Sequence, residues 1–120
     1  MSTGGAEADL ETARALLSPD STGVDLEEVA PDPPVGEVGA LAGFGAVAVG
    51  HDVRLAVYVL DTWGRGHEHR AALEARAQRA GRRVCIAVNG VLLFVGTAPM
   101  DDGAARFILN DLCSAFAGRE

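Results

Sequence analysis

The clearest pattern lies between residues 53 and 60. Val53, Leu55, Val57 and Val59 fall on one side, and Arg54, Ala56, Tyr58 and Leu60 on the other. That period of two predicts a strand. Residues 43–49 predict a preceding strand, with Phe44, Val47 and Val49 as its larger side chains, and Gly50-His51-Asp52 as the turn between the two.

A second hairpin is predicted over 83–88 and 91–97. Asn89-Gly90 suits a type I′ turn, which needs positive φ at both central residues. That turn sets Val88 against Val91, Ile86 against Leu93 and Val84 against Val95, with Ala87–Leu92 and Cys85–Phe94 on the other face.

Helical spacing appears three times. Leu10, Ala13 and Leu17 give a narrow stripe over residues 6–17. Leu73, Ala77 and Ala80 give an alanine-rich one over 67–80, with Gly81 where a helix-ending glycine belongs. Ala105, Ile108, Leu109, Leu112 and Phe116 give a full stripe over 103–117, behind Asp101-Asp102 as caps.

The expected fold is therefore α+β. It has an antiparallel sheet of about four strands in two hairpins, in ββαββα order, with helices packed on one face and a short N-terminal helix before it. Residues 1–34 form an acidic N-terminal helix and Pro-rich linker, in which residues 24–30 have the alternation of a short edge strand. Residues 35–120 form the α+β domain.

The 84–95 hairpin is apolar on both sides, where a two-layer domain leaves one side polar. Cys85, Ala87, Leu92 and Phe94 therefore need cover. The N-terminal helix or another chain would supply it, and the four residues are a candidate interface.

Length and charge add constraints. With 120 residues the chain suits one core. The formal charge is −7. Residues 1–40 hold nine acids against Arg14 alone, and the rest is nearly neutral. All ten bases are arginine. Without lysine there is no Schiff-base nucleophile and no GxxxxGK[ST] phosphate loop. No stretch approaches the ~20 apolar residues of a membrane span. The first residues lack the basic and apolar regions of a signal peptide, so the expected location is cytoplasmic, export after removal of a leader remaining the alternative.

Candidate chemistry is thin. Gly43-Phe44-Gly45-Ala46-Val47-Ala48 matches G-x-G-x-x-G/A in letters, but it leads into a strand, not the helix that dinucleotide binding needs. The bland reading is close strand packing. His67-Glu68-His69 offers metal donors, yet residues two apart on a helix point in nearly opposite directions, and no third ligand is near. Cys85 and Cys113 read as buried thiols, with a disulfide conceivable if the last helix covers the Cys85 face. No serine lies in a nucleophile motif.

Residues 61–83 carry six arginines against three acids, a basic helix face. The acidic total and the lack of interleaved aromatics argue against nucleic acid. No catalytic constellation, metal site or cofactor is identified.

The first expectation is a small non-enzymatic module acting through protein contacts, with itself as a dimer or with another protein. The alternative is a small-ligand or metal-binding domain, with Tyr58, Trp63, His67, His69 and Arg70 lining a pocket near the 63–69 loop.

Overall fold

The computed structural model describes residues 3–61 and 65–117. Five antiparallel strands form one sheet: β1 (Leu26–Val29), β2 (Ala42–Ala48), β3 (Arg54–Val59), β4 (Arg82–Asn89) and β5 (Leu92–Pro99). Their spatial order is β1-β2-β3-β5-β4. The helices are α1 (Thr3–Leu16), α2 (Pro19–Thr22), α3 (Val35–Val38), α4 (Arg70–Arg79, entered through a 3-10 turn at Arg65–His69) and α5 (Gly103–Ala117).

The architecture is α+β and antiparallel, as expected, with two corrections. The sheet has five strands rather than about four, because the alternating segment after α2 pairs with β2. Helices also cover both faces rather than one. After β3 the chain crosses the sheet through α4 to the far edge, and the hairpin brings β5 back beside β3.

The β4–β5 hairpin forms where the sequence predicts it, with its register shifted by two residues. Val88 pairs with Leu93, Ile86 with Val95 and Ala87 with Phe94. Gly90 alone has positive φ (65°), and Asn89 stays in the strand. That is the geometry of a II′ turn, with glycine at the first central position. A shift of two preserves the faces, so each side chain still points as its alternation predicts.

One face of the sheet lies beneath α1 and α5. Leu10, Ala13 and Leu17 pack there, as do Ala105, Leu109, Leu112 and Phe116, against Phe44, Val57, Val59 and Phe94. Asp102 Oδ1 accepts a bond from Ala105 N (3.1 Å) and caps α5. Gly96 lets α5 approach, since a Cβ there would lie 2.5 Å from Leu109 Cδ1.

This arrangement covers the four candidate interface residues from within the chain. Ala87, Leu92 and Phe94 are buried within the chain, and Phe94 meets the Phe116 ring at 5.3 Å between centroids. Cys85 is half-buried and bonded to Cys113 on α5, with Cα atoms 6.4 Å apart. The thiols are thus paired, across the face that the last helix covers.

The opposite face carries a smaller core: Ala56, Tyr58, Leu60, Ile86, Leu93 and Val95 beneath Leu73 of α4 and Val38 of α3. No helix of the described residues is long and apolar enough to cross a membrane.

Candidate functional site

The second face has two covers with a gap between them. On one side is α4, whose small side chains Ala77 and Ala80 leave little bulk at its C-terminal end. On the other side is a strap, residues 30–38, running over β2 and β3.

Two glycines let the strap lie close. A Cβ at Gly45 would stand 2.7 Å from Ala30 O and 3.0 Å from Pro31 Cα. A Cβ at Gly43 would stand 2.7 Å from Val57 O and 3.2 Å from Val35 Cγ2. Real Cβ atoms do not come that close to backbone, so the Gly43-x-Gly45 spacing is steric. The segment lies in β2 and the chain continues to β3, so the helix of a dinucleotide site does not follow.

Two links hold the strap. Tyr58 is fully buried and its hydroxyl donates to Pro33 O at 2.5 Å. Burial pushes its pKa well above the usual tyrosine value. Arg76 of α4 reaches Asp32 across the gap at 2.5 Å.

Between strap and helix lies a cleft of about 610 Å3, within the range of small-ligand pockets. Val47 and Val95 contribute to its floor. Val29, Ala30 and Pro33 form one wall, and Leu73, Ala77 and Ala80 the other. Its polar groups are Asp32, Arg54, Arg76, Arg82 and Thr97.

One end of the cleft is built around Asp52. Arg82 Nη1 donates to Asp52 Oδ2 at 3.1 Å, and its Nη2 donates to Oδ1 at 3.2 Å. Arg82 Nε donates to Thr97 Oγ1 at 2.9 Å. Arg54 Nε meets the same carboxylate at 3.3 Å. The Arg82 hydrogen bonds above all hold the Asp52 carboxyl below its usual range, opposed by partial desolvation. Arg82 is well packed, with 16% of its side chain exposed, whereas Arg54 is 65% exposed.

Of the five expected pocket residues four are described, and none of these four lines the cleft. Tyr58 belongs to the core and anchors the strap. His67 is exposed, while His69 and Arg70 are half-buried at the start of α4. His69 lines a separate recess of about 200 Å3 with Pro33, Leu73 and Arg79. Trp63 lies outside the described residues. Among the described residues, no group of three or more His, Cys, Asp or Glu side chains is arranged to hold a metal.

Sequence reasoning met Arg76 and Arg82 only as part of the basic stretch 61–83, and missed Arg54, Asp32 and Thr97. The available signal was weak: Arg54 and Arg82 each begin an otherwise mostly apolar strand. Among the described residues that line the cleft there is no serine, cysteine or histidine; its carboxylate is Asp32 and its hydroxyl is Thr97.

No family model matches the chain, no curated protein matches it, and no solved structure matches it.

Proposed function

We propose that this chain is a non-enzymatic binding domain that holds a small organic ligand in the cleft between α4 and the strap. The carrying observation is the cleft itself: apolar walls closed at one end by a fixed arginine–aspartate–threonine cluster. Apolar walls supply affinity, and a few placed polar groups set orientation.

A thermal-shift screen with metabolites and divalent metals tests this. A ligand at a hundred times its Kd stabilises by about 2.7 kcal/mol. An upward shift of the melting temperature is expected from organic compounds, and its loss in an Ala80→Trp variant that fills the wall. No shift from any compound overturns the reading.

A second reading, action through protein contacts as a dimer or subunit, rests on β4. This eight-residue strand ends the sheet, and Val84, Cys85 and Val88 are only half-covered. An open strand edge is a template for pairing with another chain. Light scattering at high concentration distinguishes the outcomes: a 24–25 kDa species, about twice the 12.4 kDa chain, supports dimerisation, and a clean monomer removes it.

A further inference from the structure

We propose that the ligand class is a small amphipathic carboxylate, with its acid group at the Arg54–Arg82 end and its apolar body between α4 and the strap. This rests on the ligand-binding reading above and adds the charge and shape of the ligand.

Charge is the first argument. Asp32 and Arg76 pair one to one across the cleft. At the Asp52 end, two guanidinium groups share a single carboxylate. One positive charge is left over there. Glu27, the next acid on this sheet face, is exposed and lies two strands from Arg54, paired through Val47.

Geometry is the second argument. A guanidinium presents a planar fork that matches a carboxylate. Arg82 is held from both sides by Asp52 and Thr97, so its orientation is fixed before any ligand arrives. Arg54 is mostly exposed and stands beside the same carboxylate at the edge of the cleft. A preorganised cation binds an anion with little ordering cost.

The walls are the third argument. Val29, Pro33, Ala77 and Val95 offer no hydrogen-bond partner to a polar body. A sugar or nucleoside would lose its hydration against these walls, where the nearest polar pair, Asp32 and Arg76, is already satisfied. An aliphatic or aromatic body would not. The leftover charge is a single unit, which matches a monoanion better than a phosphate monoester.

The test is amide-resolved NMR of the full chain titrated with decanoate, decylamine or acetate. Decanoate is expected to shift Val29, Ala77, Val95 and Thr97. Acetate lacks the body and decylamine has the wrong charge, so both are expected to leave these amides in place. Arg54→Gln is expected to weaken decanoate about tenfold, the effect of one charge-assisted hydrogen bond. Asp52→Asn removes the competing carboxylate and is expected to tighten it.

Decylamine binding the cleft as tightly as decanoate overturns the carboxylate assignment and keeps the ligand-binding reading. Unchanged affinity in both variants does the same. Shifts confined to other surfaces, or no shifts with any of the three, overturn the site.

Discussion

The two faces of this sheet solve the same problem differently. Both are apolar and both need cover. Beneath α1 and α5, fifteen-residue α5 presents a full stripe, and Phe94, Leu109, Leu112 and Phe116 have no exposure. Beneath α4 and the strap, a ten-residue helix with one buried leucine and one buried alanine leaves a gap. Filling a face takes large side chains; a helix rich in alanine and arginine leaves room for something else. The difference puts the larger core on one side and leaves an open cleft on the other.

The largest effect is expected from removing the first 34 residues. That takes α1 from one face and residues 30–34 of the strap from the other, uncovering Phe44 and Val57 on the first and Gly45 and Tyr58 on the second. The shortened chain is expected not to fold cooperatively in urea. A transition matching that of the full chain would show that neither cover matters.

Next are matched truncations of the two cores. Phe94→Ala is expected to cost about 3–5 kcal/mol, and Leu73→Ala about 2–3, since the cleft side relaxes more readily. Equal costs by urea denaturation would erase the contrast between faces.

The Cys85–Cys113 bond comes third. It closes a loop across 28 residues of sequence separation, worth about 3.6 kcal/mol on chain-entropy grounds. Alkylation without reductant is expected to add no label to the native chain, and reductant to lower the urea midpoint. Two labels before reduction would remove the bond from the account.

Tyr58→Phe is the smallest, about 1 kcal/mol, because it leaves Pro33 O without its donor. It also carries a pH signature. Burial raises the folded pKa above the unfolded value near 10. The folded state then keeps a proton that the unfolded chain gives up. This contribution is complete below about pH 10 and declines as pH rises further. The alkaline decline should be shallower in the phenylalanine variant; identical profiles would assign it to other groups.

Much of the closed face was legible in the chain. The stripes of α1 and α5 and the alternation of β3 name most of the residues those elements bury there, though not the small Ala46, Ala48 and Ala98 between them. The two-sided hairpin also signalled that a second cover must exist. The hairpin register was not legible, because Gly90 serves as the first residue of a II′ turn and Asn-Gly suggests it as the second of a I′ turn. The cleft was less legible still. Val29, Arg54, Arg76, Arg82 and Val95 are distant in sequence and become neighbours only when the strap crosses Gly45. The alanines of α4 read as a weak stripe, and nothing in their period says that a gap lies beside them.

The most direct measurement of the contrast is methyl-resolved NMR of the free chain with a soluble gadolinium chelate. The relaxation agent reaches only groups near open solvent. Val29 and Val47 at the cleft are expected to relax strongly, while Val57, Val59, Leu109 and Leu112 beneath α1 and α5 stay largely unaffected. Equal relaxation of the two sets, or stronger relaxation beneath α5, would contradict a closed face opposite an open one.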